Sequence, residues 1–236
     1  TGYSPLHYAC REGLIDIVNI LLNFNANIEV LTKLKLTPLH LSCIFNHDIA
    51  YILLQYGANV NTIAEDNYTP LLSATLTENY DLVKLLLERG ADPNIKMAES
   101  AGGSSIIQQS VIKNNYFITA LLLEYGANPN VRDSRGYNAL LSAIELQYIE
   151  IIELLVQNPL TQLYYYVYDK DTKKNMLTSE PMNLYIYYNN KGEPLDSKIY
   201  DILIENIENK LKLQDLLTEL ENKSYDPHST WGRAMI

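Results

Sequence analysis

Ser4-Pro5-Leu6-His7-Tyr8-Ala9 recurs as Thr37-Pro38-Leu39-His40-Leu41-Ser42 and again as Thr69-Pro70-Leu71-Leu72-Ser73-Ala74. The offsets are 37 − 4 = 33 and 69 − 37 = 32. Each copy reads as a helix start. A Ser or Thr hydroxyl caps free backbone N–H groups, and Pro at the first helical position loses no bond it needed. Leu then turns toward a core, and Ala or Ser a few positions on lets a neighbouring helix come close. A second helix follows in the first copy, Ile15-Asp16-Ile17-Val18-Asn19-Ile20-Leu21-Leu22, with apolar residues at helical spacing. A recurring triplet closes the unit: Asn25-Ala26-Asn27, Gly57-Ala58-Asn59, Gly90-Ala91-Asp92 and Gly126-Ala127-Asn128. Gly at this place supplies the left-handed residue that stops a helix.

A period near 33 carrying this hexapeptide resembles the ankyrin-repeat family. The resemblance implies an all-α solenoid of stacked helix pairs joined by β-turn finger loops, with binding as its function, because a solenoid offers an extended surface and no enclosed pocket. It also implies that His7 and His40 bond backbone and tie one repeat's turn to the next. The anchors give five units over residues 1–159, at about 1–33, 34–65, 66–101, 102–134 and 135–159. In the fourth the hexapeptide is lost. Ser105 takes the cap 36 residues after Thr69, and the three extra residues fall between Lys96 and Gly103, a loop expected to be long and mobile. Asn138 caps the fifth unit. Lys35 and Asn67 replace the turn glycine at their positions; Lys tolerates left-handed backbone poorly, so the second turn is expected to be distorted and to present Leu34 and Leu36 differently from its neighbours.

After Pro159 the period breaks. Residues 160–236 read as a Tyr-rich insertion with a β-hairpin near 161–178, a degenerate sixth helix pair, and a C-terminal capping helix at Leu211 to Leu220. In the sixth pair Glu180-Pro181-Met182-Asn183-Leu184 stands for the hexapeptide and Ile202-Leu203-Ile204-Glu205 for the second helix. An insertion of Lys191 to Asp196 separates them.

The chain has 236 residues, enough to bury a continuous core, and a net charge of −10. The charge argues against nucleic acid as a partner, since phosphate binding wants a basic face. No apolar run approaches the ~18 residues of a membrane span, so no membrane partner is expected. The first residue is Thr1, inside a repeat, and the chain reads as a fragment of a longer protein. Cys10 and Cys43 hold one position in adjacent repeats. Stacked helices keep such positions about 10 Å apart, beyond disulfide reach, so reduced, buried thiols and a cytoplasmic setting are expected. Abundant Asn and Ile, and 19 Tyr against 3 Phe, fit an AT-rich genome. With the resemblance, that profile places a pathogen or viral effector, working in the host cytosol on a host protein, among the expected roles.

Chemistry is harder to find. No two His share a helix face at metal-ligand spacing, and no Cys pair does. Asp169-Lys170-Asp171-Thr172 faintly resembles a haloacid-dehalogenase-type nucleophile motif, but its Thr comes too early and no βαβ pattern surrounds it; a hairpin turn is the better reading. No catalytic residue, cofactor, metal or small-molecule ligand is expected, and the chain is read as no enzyme.

The resemblance carries binding positions over onto the turn tips and outer faces of the first helices. At the tips these are Tyr3, Lys33, Lys35, Leu36, Tyr68, Arg132, Arg135 and Tyr137. On the helices they are Tyr8, Arg11, Leu41, Ile44, Phe45, Leu76 and Ile112. Tyr3, Tyr68 and Tyr137 share one register and read either as an aromatic ladder for a partner or as packing on neighbouring turns. The expected function is a scaffold that grips a partner protein with its concave face and finger loops. The alternative is a targeting or substrate-recruiting arm of a larger enzyme whose catalytic domain lies outside these residues.

Overall fold

A computed structural model of the chain describes residues 2–169, 174–192 and 194–224. It divides into two compact units, Thr1–Thr161 and Gln162–Ile236. The first contains five helix pairs: α1 (Pro5–Glu12) with α2 (Ile15–Asn23), α3 (Pro38–Phe45) with α4 (His47–Gln55), α5 (Pro70–Leu76) with α6 (Tyr80–Glu88), α7 (Ile106–Ile112) with α8 (Tyr116–Glu124), and α9 (Ala139–Glu145) with α10 (Ile149–Gln157). First helices pack in the series α1, α3, α5, α7, α9, and second helices in the series α2, α4, α6, α8, α10.

The hexapeptide begins each first helix as its chemistry requires. Ser4, Thr37, Thr69, Ser105 and Asn138 stand at the N-caps in extended backbone, each accepting a hydrogen bond from the N–H three residues on. Asn46, Asn79 and Asn115 cap second helices in the same way. Asn25, Gly57, Gly90 and Gly126 take left-handed backbone where those helices stop. The core lies between the two helix rows and between repeats. Leu6, Leu39, Leu71, Ile106 and Leu140 fill it from the first helices; Val18, Leu54, Leu86, Ile118 and Leu155 from the second.

Polar links join the repeats. His7 Nε2 bonds the Leu36 carbonyl at 3.0 Å and His40 Nε2 bonds that of Tyr68 at 3.1 Å. In both rings Nδ1 accepts a backbone N–H, from Ser4 and Thr37, so the proton resides on Nε2. The expected backbone role of these histidines is what the structure has. Gln108 does the same work in the fourth repeat, its amide reaching the Tyr137 carbonyl at 3.0 Å. A second ladder runs along the loops. Asn61 donates to the Gly90 carbonyl at 2.8 Å and accepts from Asp92 N–H at 2.9 Å; Asn94 does so with Gly126 and Asn128 at 3.1 and 2.8 Å. Asn130 donates to the Leu160 carbonyl at 2.6 Å. Glu29, at the same register, accepts a single bond from Asn59 N–H at 2.7 Å.

Two loop expectations are corrected. The second turn is not distorted. Lys35 takes φ 58° where Gly136 takes 84°, and the bonds Thr32 N–H to Leu36 O and Lys35 N–H to Thr32 O repeat those of Asp133 to Tyr137 and Gly136 to Asp133. These two bonds, closed within the turn, hold Lys35 in a backbone it would not choose. The unusual turn is the third, where Asp66 and Asn67 are both left-handed, at 56° and 58°. The long loop is also not free. Met97 N–H bonds Ser104 O, Gly103 N–H bonds Ala98 O, and Ala98 N–H reaches Asp66 O in the preceding turn. The following turn bonds it through Ser134 N–H and Oγ to Gly102 O. His47, at the start of α4, is half-buried, with Nδ1 2.6 Å from Asn79 Nδ2.

In the second unit β1 (Tyr165–Asp169) pairs antiparallel with β2 (Lys174–Thr178), Val167 opposite Met176. The turn of that hairpin, with Asp171 and Thr172, lies outside the described residues. α11 (Glu180–Lys191) and α12 (Ser197–Ser224) follow. The sequence pattern predicts two helices, Ile202 to Glu205 and Leu211 to Leu220; α12 is instead one helix of 28 residues. No Gly or Pro interrupts it, so nothing ends the backbone ladder between the two apolar clusters. Ile199, Leu203 and Ile207 form its buried stripe at four-residue spacing. Among the described residues no helix is long and apolar enough to cross a membrane.

Candidate functional site

The surface best suited to a partner is built from the C-terminal ends of the first helices and the turn tips beside them. Counting seven and eight positions on from each N-cap gives Arg11 and Glu12, Ile44 and Phe45, Leu76 and Thr77, Ile112 and Lys113, and Glu145 and Leu146. Because the first helices pack in series, these residues form a stripe across five repeats. Its middle is apolar. Phe45 is 55% exposed, Ile112 is exposed, and Ile44 and Leu76 are half-buried, with Thr77 and exposed Lys113 beside them; Leu146 is exposed at the far end. Its two ends are ionic. Arg11 pairs with Glu12 at 2.6 Å, and Arg135 lies 3.6 Å from Glu145.

The expected positions divide along the chain. Tyr3, Tyr8 and Arg11 come together: the two rings meet edge to face at 5.2 Å, and the Arg11 guanidinium sits 5.6 and 5.4 Å from their centroids. Tyr68 is half-buried and stacks on His40 at 6.4 Å. Tyr137 is half-buried under the Arg135 guanidinium at 4.8 Å. The tyrosine register therefore packs within the solenoid, Tyr3 and Tyr137 on their own repeats and Tyr68 on the preceding one, and leaves only part of each ring outward. Burial holds the Tyr68 hydroxyl above its usual range, so this ring stays neutral. Lys33 and Lys35 are exposed on the second turn, and Leu36 is half-buried with its carbonyl taken by His7. Arg132 is exposed and donates to the Gly136 carbonyl at 2.6 Å.

Leu41 does not belong to this surface. It is 2% exposed, and Ser73 and Ser142 at its register are buried too. That register is the seam between adjacent first helices, and only Tyr8, in the first repeat, lies open there. The tips also hold residues that the sequence reading passed over. Leu31 and Ile63, 32 positions apart in equivalent loop positions, are both exposed. Lys96 and Arg132 continue their register, so the tips change from apolar to basic along the solenoid. An apolar residue directly before the second and third finger turns is the available signal.

The buried thiols and the two hexapeptide histidines serve packing. Burial pushes the Cys10 thiol up to about 12 and raises Cys43 further; both are free and buried. Burial lowers His7 and brings His40 down to about 4. Among the described residues no group of three or more His, Cys, Asp or Glu side chains is placed to hold a metal ion. A shallow groove between α8 and α10, lined by Tyr116, Phe117, Glu150, Glu153, Leu154 and Gln157, encloses about 390 Å³.

Residues 6–97 match a family model described as ankyrin repeats, in three copies. Among characterised proteins, the chain is 33% identical over 94 residues to the human transient receptor potential cation channel subfamily A member 1; the match covers 38% of this chain and 8% of that protein. The Drosophila melanogaster protein of the same name is 33% identical over 101 residues, covering 40% and 8%. The chain thus spans only 8% of the length of these relatives.

Proposed function

Because the chain belongs to the ankyrin-repeat family, we propose that it is a protein-interaction module gripping a partner protein along the first-helix stripe and the finger turns. The observation that carries this reading is the apolar group across repeats two to four, exposed Phe45 and Ile112 with half-buried Ile44 and Leu76, bracketed by ion pairs. Exposed contiguous apolar surface with a polar rim is how interfaces are built, and aromatic anchors near the centre carry most of the energy. Repeats of this kind are typically non-catalytic, and His7 and His40 are committed to backbone. The AT-rich composition supports a more specific role, a pathogen or viral effector that engages a host protein in the host cytosol.

The test is a capture experiment with identified partners. Phe45→Ala with Ile112→Ala should weaken capture of a wild-type partner about 30-fold or more, the ~2 kcal/mol of an interface anchor, and leave the melting temperature within about 1 °C because both side chains are exposed. Leu41→Ala is the control. It should lower the melting temperature by opening a buried seam, at a cost of about 2–5 kcal/mol. Undiminished capture by the double variant would place the interface elsewhere. Tyr68→Ala is a poor probe, since it also removes the ring stacked on His40.

A further inference from the structure

The first repeat exposes what every other repeat buries. Ile17 of α2 is 45% exposed, whereas its counterparts Ile49, Leu82, Ile118 and Ile151 are at most 1% exposed. Leu21 is half-buried where Leu53, Leu86, Leu122 and Leu155 are buried. In α1, Pro5 is exposed where Pro38, Pro70, Ile106 and Ala139 are buried, and Tyr8 lies open over the seam that closes on Leu41. In repeats two to five these positions face the preceding helix pair. A terminal repeat built to meet water would carry polar residues there.

The polar links are set out in the same way. The Tyr3 carbonyl holds the register of the Leu36, Tyr68 and Tyr137 carbonyls, each of which receives a His or Gln of the preceding repeat. Asn27 N–H holds the register of Asn59, Asp92 and Asn128 N–H, each of which donates to a Glu or Asn of the preceding repeat. We propose that this end of the solenoid is an internal repeat interface, and that its occupant is one more helix pair of the same kind, stacked in series on α1 and α2. The four internal interfaces define its chemistry. Its first helix covers Pro5 and Tyr8, its second covers Ile17 and Leu21, a His or Gln donates to Tyr3 O, and an Asn or Glu accepts from Asn27 N–H.

The chain supplies its own probe. A copy of residues 34–65 fused directly before Thr1 places Tyr3 where Tyr68 stands relative to that repeat, with His40 and Asn61 of the copy in reach of both links. The fused chain should melt roughly 5 °C or more above the parent. Ile17→Asp with Leu21→Asp should abolish that gain while shifting the unfused chain by no more than about 1 °C. In the unfused chain Ile49→Asp, the internal counterpart, should unfold the protein outright. If Ile17→Asp is as damaging as Ile49→Asp, the face is already covered within the chain and the proposal fails. It fails equally if the fusion leaves melting unchanged. It also fails if light scattering shows a dimer that Ile17→Asp dissociates and the fused repeat does not, since a second copy would then be the occupant.

Discussion

At His40 the ring is wired for the neutral state. Nδ1 accepts the Thr37 N–H at 3.1 Å, Nε2–H faces the Tyr68 carbonyl at 3.1 Å, and burial brings the pKa from 6.5 down to about 4. As pH falls, the unfolded chain takes up this proton near 6.5 and the folded chain not until about 4. The contribution is therefore complete above 6.5 and is lost between those values, on the order of 3 kcal/mol in all. Urea midpoints should fall steadily from pH 7 to pH 4. His40→Gln, which can make the bond Gln108 already makes to Tyr137, should flatten that fall, leaving the smaller share from His7, whose pKa is lowered in the same direction. A slope unchanged by the substitution would assign the acid sensitivity to other groups. Lys35 offers the opposite kind of test. Its left-handed backbone, at φ 58°, costs about 1–2 kcal/mol relative to glycine, so Lys35→Gly should raise stability by roughly 1 kcal/mol in equilibrium denaturation. The sequence named Lys35 correctly as anomalous and misjudged the consequence, because propensity says what a residue prefers and not what its neighbours impose.

Among the connecting elements, the fifth finger turn depends on one carboxylate. Asp133 Oδ1 accepts the N–H groups of Arg135 and Tyr137, both at 2.9 Å, and Oδ2 takes the Gln108 amide at 3.1 Å and the Arg135 guanidinium at 3.2 Å. Asp133→Ala removes all four partners at once and should cost about 2 kcal/mol or more by thermal melting, whereas Arg135→Ala, which exposes no buried donor, should cost well under 1 kcal/mol. Equal effects would contradict the central place given to Asp133. The helix pairs are legible from local signals alone: a cap, a 3.6-residue apolar period and a left-handed stop, with a proline in the first three, are all written within one repeat. Leu41 was not legible, since whether a residue at that register meets solvent depends on the helix stacked beside it, 33 residues away. The stitched loop from Lys96 to Ser105 escaped for the same reason. Its bonds run to Asp66 and Ser134, in the preceding and following finger turns some 32 residues away, and glycine content alone reads as freedom.

For the repeat unit as a whole, each pair touches only its neighbours, so stability is a sum of local terms and adjacent interfaces. The first repeat has one such interface and the third has two. Amides of α1 and α2 should accordingly exchange with solvent well before those of α5 and α6, an ordering that hydrogen-exchange mass spectrometry reads directly. Uniform protection would mean that the five repeats unfold as one cooperative block. The Asn ladder gives this one-dimensional character a mechanical side. Asn61 and Asn94 clamp the next repeat with two bonds each, a donor and an acceptor on one amide, while Glu29, a carboxylate without a donor, closes its seam with one. Stretched from its ends, the solenoid is a zipper whose first tooth is half-cut: the opening rip under load belongs at the Glu29 seam, and Glu29→Asn should move it elsewhere.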